Sequence, residues 1–538
     1  MTLETKDYLN FNIFNDEGDC IKMIQGVEKI VPALPGDKVN EEGDLLKRTS
    51  HPPLVGILYV NSKVKYGITS KGKPIYLFEP YNKAYPLMIV GSNEKGGTSN
   101  VIALVTFEAW EKGSKFPRGG LQRILGSCGD HAVEREMLLL RYSPWSYPKK
   151  VEISQNYKEQ LERRPLIKGY TFNIDPPGCE DVDDVVTIQR VSESKWILTI
   201  SITDVATAIE DGSILDTYAR KVGQSLYPEG QEPKHMLPPY ISTKGLSLLK
   251  GQYRNAISLA ITWSPEGIES RCWLCSKVAV DDSYTYKEAQ DETMEEFQVL
   301  KKIVNELAGT ERTTSEEWIE TLMIHYNSEA GKLMKSNSMG ILRHHSEPDM
   351  ETLNSLVIID KSLAKMAYAS ATYVTWDTPG KHWGLNLEEY AHASSPLRRY
   401  ADLYNQRCLL VALKNTGGQI QSSKSLCRTL NILQKSAKSF ERDEFFINVL
   451  ASTKLPVVSA IITEINMDNQ FIKLYVKDWN RIIRIKMKLV LDIDKVWLEK
   501  KEGQTFPIEV KQEVKVSYHI NYEKAQWKDK IIFNVNYK

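Results

Sequence analysis

The sequence predicts a mixed α/β central region flanked on both sides by all-β segments. Short apolar runs separated by Gly, Pro and Asn fill the first 165 or so residues. Apolar positions recur at helical spacing beyond residue 286. Strand-like runs return after about residue 455. At 538 residues the chain should hold several domains, and its 42% hydrophobic and 26% charged residues are ordinary for a globular protein.

In chain order, Leu34-Pro-Gly-Asp-Lys-Val39 reads as a turn followed by a strand start, and Pro53 to Val60 as a short apolar strand. Val101 to Phe107 is another strand, ending at Trp110. Short strands with this punctuation suggest small barrels of the OB or cold-shock kind, one over 1–65 and a second over 66–165. Tyr59, Tyr66, Phe78 and Tyr81 are either core residues or rings on which bases could stack. The α/β region spans 166–452, where Ser258 to Thr262 continues a sheet and Glu295–Leu307 and Trp318–His325 read as helices. A last barrel is expected over 453–538, with strands at Val457–Thr463 and Phe471–Val476. From residue 454 on, 16 Lys and Arg face 11 Asp and Glu. Arg484, Lys486 and Lys488 alternate onto one strand face, either a phosphate track or a solvated edge.

Within the α/β region, Asp175, Asp181, Asp183 and Asp184 crowd into ten residues, with Glu180 as a fifth acid. Carboxylates this close repel one another, so they sit in open water or around cations. Strand-like Tyr170–Ile174 and Val185–Ile188 flank the cluster and argue for a held loop rather than a free one. Oxygen ligands without His or Cys point to magnesium or manganese. A calcium loop fails on spacing, since neither the glycine at position six nor the glutamate at position twelve is present. An acidic surface turn remains the plain alternative.

About two hundred residues later runs His392-Ala-Ser-Ser395-Pro-Leu-Arg398-Arg399-Tyr-Ala-Asp402. Ser-Pro predicts a helix start, with the helix itself over Leu397–Leu410. Paired guanidinium groups at an amide-rich helix start disfavour the helix unless an anion such as phosphate lies there. The alternative is a solvated pair in which Arg399 bridges to Asp402 one turn on.

These two segments resemble the signatures of the ribonuclease II/R (RNB) family, in the eukaryotic branch that includes the catalytic subunit of the RNA exosome. Asp175-Pro-Pro-Gly-Cys-Glu-Asp-Val-Asp-Asp184 resembles its metal loop, and His392 to Asp402 its second signature. Ile202-Thr-Asp-Val205, Met236-Leu-Pro238 with Leu246-Ser-Leu248, Thr285 to Ala289, Leu342-Arg-His344 and His382-Trp-Gly-Leu385 follow in the family's order. Phe116 to Gly120, Ile124-Leu-Gly126 and Glu134 to Leu140 resemble the end of its second cold-shock domain. The resemblance implies an RNB catalytic domain between OB-fold and cold-shock-like barrels, and too little chain for the optional N-terminal endonuclease module.

It also implies the chemistry: processive, hydrolytic 3′→5′ degradation of single-stranded RNA to nucleoside 5′-monophosphates, with two magnesium ions, or manganese in their place. Asp175, Asp181 and Asp184 would hold the metals, and Asp183 is the carboxylate on which catalysis most depends. Arg398 would neutralise the scissile phosphate, a role that suits a planar fork. Tyr227 would stack on the terminal base, Arg399 would support a neighbouring phosphate or Asp402, and Glu441 would lie near the 3′ nucleotide. Two departures stand out: Ser201 and Gln406 replace histidines of the pattern, and the stretches 290–323 and 348–382 are short. A catalytically inactive RNA-binding relative and a scaffold subunit are the competing readings.

The formal net charge is zero, unusual for a nucleic-acid binder. Seven scattered cysteines argue against a disulfide framework, and Cys272-Trp-Leu-Cys275 stands without a second pair, as strand packing would leave it. No apolar run approaches the roughly 18 residues that span a membrane. With no signal pattern at Met1–Lys6, an intracellular setting is expected, cytoplasmic or nuclear, with RNA and a larger RNA-degradation complex as partners.

Overall fold

The structure is a computed structural model that describes residues 1–8, 10–25, 32–94, 99–111, 113–150, 164–414, 420, 422–451, 457–492, 495–499, 505–525 and 527–536. A five-stranded sheet opens the chain, ordered 20–25, 10–14, 2–7, 38–39, 45–47. A closed five-stranded barrel follows, built from Arg118–Ser127, Met88–Gly91, Ile75–Pro80, Leu54–Leu58 and Val101–Ala109. The expected boundary near residue 65 therefore falls earlier. Leu54–Leu58 is buried at every position and pairs with both Ile75–Pro80 and Val101–Ala109, so it belongs to the closed barrel.

Residues 1–165 are also not wholly β. His131–Tyr142 is a helix, capped by Asp130, whose carboxylate accepts from the amides of Ala132 and Val133. Phe78 and Tyr81 are buried in the barrel and beneath it, and so cannot stack on bases, whereas Tyr66 remains 37% exposed.

The central sheet has six strands in the order Gly267–Ala279, Tyr253–Ser264, Trp196–Thr203, Asp184–Arg190, Tyr170–Asp175, Asp282–Thr285. All neighbours are antiparallel except the last pair, which is parallel. Its apolar face packs on the helices Glu295–Ala308, Ser315–Ser336 and Tyr400–Lys414, around Phe172, Ile200, Leu259, Phe297, Trp318 and Tyr326. Ser315–Ser336 starts with a capping box in which Thr314 and Glu317 satisfy each other's backbone amides. Deeper in that helix, the Tyr326 hydroxyl donates to the Ile257 carbonyl at 3.1 Å, which ties helix to sheet. Cys272 and Cys275 lie three apart on the outer strand, and all seven cysteines are free.

The C-terminal part pairs a five-stranded sheet with a three-stranded one, and the boundary expected at 452/453 lies outside the described residues. Arg484 and Lys486 share the exposed face of Arg481–Lys486, with Arg484 over the Phe471 ring at 3.7 Å. Lys488 does not continue that face, because it begins the strand Lys488–Asp492 of the other sheet. Among the described residues no helix is long and apolar enough to cross a membrane.

A buried ion pair joins the helix His131–Tyr142 to the C-terminal part of the chain. Lys530 Nζ donates to Glu134 Oε2 at 2.5 Å with both side chains at 2% exposure or less, and Glu134 Oε1 also accepts from the Gly129 amide. Lys530→Met should lower stability by about 3–5 kcal/mol in urea denaturation, because it strands a buried carboxylate. Adding Glu134→Gln, which keeps the Gly129 bond, should recover most of the loss.

Candidate active site

The acidic loop is set by the sheet. Asp175 is the last residue of its strand and Asp184 the first of the neighbouring antiparallel strand, so residues 176–183 bridge adjacent strand ends. Pro176 to Cys179 form a tight turn with Pro177 leading, Gly178 at φ +79° and the Cys179 amide bonded to the Pro176 carbonyl at 3.2 Å. That is the type II pattern, which needs a left-handed residue at its third position and explains the Pro-Pro-Gly. Further along, the Val182 amide donates to Ser247 Oγ at 2.9 Å, and Ser247 Oγ donates to the Glu180 carbonyl at 2.8 Å.

The second signature is held from three sides. Asn327, on the helix Ser315–Ser336, accepts from the Ala393 amide at 2.8 Å and donates to Ser394 Oγ at 3.0 Å. Asn405 donates to the His392 carbonyl at 2.9 Å, and Asp402 accepts from the Ser395 amide at 2.8 Å. The helix begins at Tyr400, not at Leu397 as expected. Residues before it form a turn that is drawn sideways: Ser225 N donates to Arg398 O at 2.9 Å and Tyr400 N to Gly223 O at 2.8 Å. In addition, the Leu397 amide is taken by Asp183 Oδ1 at 2.8 Å.

Asp183 is the joint between the two signatures. Besides Leu397 N, it receives Arg398 Nε on Oδ2 at 3.1 Å, and Arg398 Nη2 donates to Ser395 Oγ at 2.9 Å. The Asp183 side chain is 2% exposed while Arg398 keeps 44%. Both face a cavity of about 880 Å³ whose walls include Asp175, Asp181, Asp184, Tyr227, His235, Arg343, Tyr390, His392, Arg398 and Arg399. The helix Ser315–Ser336 also lines the cavity, through Ile319, Met323 and Asn327, each one turn apart.

Electrostatically the four aspartates differ. Burial and the neighbouring acids push Asp183 above the usual carboxylate range, although Arg398 and the Leu397 amide oppose this. Burial and repulsion from Asp175 raise Asp184 to about 7, with Arg398 pulling the other way. Asp175 is raised by burial, only partly offset by the Asn173 side-chain amide at 2.7 Å. Asp181 feels the same burial, but hydrogen bonding to His235 and Tyr227 outweighs it and holds its carboxyl below the ordinary value. The Tyr227 hydroxyl donates to Asp181 Oδ2 at 2.5 Å, and His235 Nδ1 lies 3.4 Å from the same oxygen.

Among the described residues, no three His, Cys, Asp or Glu side chains are gathered closely enough to hold a cation as they stand. Asp181 and Asp183 are already engaged by protein donors. The donor chemistry nevertheless fits a hard divalent cation, since Asp175 and Asp184 are enclosed carboxylates that, among the described residues, have no cation in salt-bridge contact.

Thus the structure brings Asp175, Asp181, Asp183, Asp184, Tyr227, Arg398 and Arg399 to one cavity. Arg399 also makes the plain bridge to Asp402, at 2.8 Å. Glu441 is not among the cavity walls. It is exposed on the helix Lys424–Ala451, about two turns beyond Gln434, which accepts from Arg343 of the cavity wall at 2.9 Å. Sequence reasoning missed His235 and Arg343, although each sits within or beside a segment whose pattern was noted. Ser201 and Gln406 both lie away from the cavity. Ser201 Oγ accepts from Ser258 Oγ inside the sheet, and Gln406 accepts from the Val205 and Ala206 amides while donating to the Thr203 carbonyl.

Comparison with known proteins identifies the domains and the fold. A profile of the RNB domain matches residues 163–301 and 291–415, and one of the Dis3-like cold-shock domain 2 matches 75–143. The exosome complex exonuclease RRP44 homolog A of Arabidopsis thaliana is 24% identical over 435 residues, covering 64% of this chain and 46% of its own. The chain spans about half the length of the curated relatives it matches. Among solved structures, RNase R of Mycoplasma genitalium in complex with ribose methylated single-stranded RNA superposes with a TM-score of 0.73 at 16% identity, covering 99% of this chain and 100% of its own. Yeast Ssd1, described as a pseudonuclease, superposes at 0.67 and 15% identity, covering 96% and 81%. At these identities the superpositions show a shared fold.

The raised Asp184 gives a direct test. At pH 8 without divalent cations, Asp184→Asn should be more stable than the parent by on the order of 1 kcal/mol, because repulsion from Asp175 is removed. Magnesium at a hundred times its Kd should stabilise the parent by about 2.7 kcal/mol and the variant far less. Thermal denaturation with EDTA and then with magnesium reads both effects.

Proposed function

Because this chain belongs to the ribonuclease II/R family of RNB-domain proteins, we propose that it hydrolyses single-stranded RNA from its 3′ end, processively, to nucleoside 5′-monophosphates. The observation that carries this reading is the meeting of four aspartates and Arg398 in one cavity of about 880 Å³. Asp175 and Asp184 would hold magnesium, with Asp181 and Asp183 at hand beside them. Bound magnesium supplies a Lewis acid for the phosphate and a water of lowered pKa.

The chain's own groups do the rest. Arg398 is anchored by Asp183 through Nε and by Ser395 through Nη2, which orients its guanidinium at the cavity wall without neutralising the whole fork. A fork fixed in this way can stabilise charge developing on a phosphate without reorganising. Tyr227 is pinned through its hydroxyl to Asp181 while 46% of the residue stays exposed, so its ring is a rigid surface for a terminal base. Stacking of that kind is worth about 1–3 kcal/mol per base. Arg343 and Arg399 add positive charge on the same cavity, although the chain as a whole is neutral. With a neutral chain, RNA binding should be local and strongly salt-sensitive.

An intracellular setting, cytoplasmic or nuclear, belongs to the same proposal and is supported by seven free cysteines. Assembly into a larger RNA-degradation complex is proposed from relatives named as exosome complex exonucleases. A second reading, RNA binding without catalysis, draws on the engagement of both Asp183 oxygens by Leu397 and Arg398.

One assay separates the two. A 5′-labelled single-stranded RNA incubated with magnesium should shorten stepwise, and Asp183→Asn should slow this by about a hundredfold or more. A DNA oligomer should resist, since sugar contacts would select the 2′-hydroxyl. RNA bound but not shortened by the parent chain would favour the second reading.

A further inference from the structure

A second cavity, of about 230 Å³, lies between the closed barrel, the end of helix His131–Tyr142 and the helices Ile214–Val222 and Lys424–Ala451. No residue of the acidic site lines it. Its charged and polar walls include Arg141, Lys221, Ser143, Ser436, Asn82 and Tyr85, and apolar side chains supply most of the remainder.

Three observations concern the charge and hydrogen bonding of its walls, where Arg141 is half-buried and Lys221 exposed. Among the described residues, no carboxylate is in salt-bridge contact with Arg141 or Lys221; Arg141 lies over the Tyr142 ring at 4.9 Å and Lys221 over the Trp145 ring at 4.8 Å. Asp443 lies near enough to favour the Arg141 charge, but its oxygens are hydrogen-bonded to other groups. Oδ1 receives Arg442 Nε and Nη2 at 3.0 and 2.7 Å, while Oδ2 receives the hydroxyls of Tyr81 and Tyr142 at 3.2 and 2.7 Å. Finally, Ser143 is 6% exposed and its hydroxyl has no hydrogen-bond partner. Buried hydroxyls are nearly always paired, so one left unpaired on a cavity wall points to a missing group.

We propose that this cavity binds a phosphate group, taken by the Arg141 guanidinium with help from Lys221 and the Ser143 hydroxyl. A planar fork beside an ammonium and a hydroxyl donor is the pattern that recognises tetrahedral oxyanions. The volume is below the roughly 300–1,000 Å³ of sites that enclose whole organic ligands, so the site takes the phosphate with only part of whatever carries it. Burial weakens the hold of Arg141 on its proton, as expected of a cation whose counter-charge is brought by a ligand. The phosphate can come from a free ester or from an RNA backbone, and the site stands whether or not the acidic cavity hydrolyses RNA.

The test uses the full chain with EDTA present, so that no RNA is consumed. Inorganic phosphate, adenosine monophosphate and a short single-stranded RNA are each titrated into the parent, Arg141→Met and Ser143→Ala. Calorimetry follows binding, and circular dichroism confirms that each variant is folded. Arg141→Met should weaken binding at least tenfold, and Ser143→Ala, which keeps the charge and most of the packing, several-fold. If phosphate or the nucleotide shows this loss, the source is a free anion; if only RNA shows it, the source is the backbone. Equal binding of all three ligands by parent and variants, or no binding of any, would overturn the proposal.

Discussion

Two segments more than two hundred residues apart meet at a single buried carboxylate. Asp183 accepts the Leu397 amide and the Arg398 guanidinium, and through them the acidic loop and the arginine turn become one rigid unit. Either bond alone would be a modest contribution. Together they are charge-assisted, enclosed and shared by one group, which makes removal of either side costly. The remaining supports serve this contact. Ser247 fixes the loop from below, Asn327 and Asn405 suspend the approach to Ser395, and Asp402 holds the Ser395 amide.

That joint also sets the electrostatics. Arg398 is the cation nearest the acids, and Asp183 takes its Nε. Asp181 is compensated separately by Tyr227 and His235, which leaves Asp175 and Asp184 to repel each other at neighbouring strand ends. Two such carboxylates disfavour their shared ionised state, which the proposed divalent cation would relieve. Net charge is a poor guide here. The chain sums to zero, yet four aspartates and three arginines, Arg343, Arg398 and Arg399, line one cavity.

Much of the fold and site could be read in the sequence because it depends on local pattern. The Pro-Pro-Gly turn, the strand ends at Asp175 and Asp184 and the capping-box helix from Thr314 are all dictated by neighbouring residues. What escaped depends on contacts that spacing does not carry. Leu54–Leu58 lies close in sequence to the first sheet but is claimed by partners at 75–80 and 101–109. Helical periodicity includes Leu397, yet a carboxylate two hundred residues upstream takes its amide and delays the helix to Tyr400. Lys488 keeps the alternation of Arg484 and Lys486, but the strand ends between them. Glu441 lies on the helix Lys424–Ala451 and is absent from the cavity walls. Ser201 and Gln406 depart from the family pattern where they support the sheet and a helix start, outside the acidic wall.

The coupling between Asp183 and Arg398 can be measured by a double-mutant cycle in denaturant unfolding, with Asp183→Asn, Arg398→Met and their combination. A buried ionic joint predicts that the two losses fall well short of adding, with an interaction energy of about 1–3 kcal/mol. Strictly additive losses would contradict it, and the two signature segments would then be neighbours without being joined.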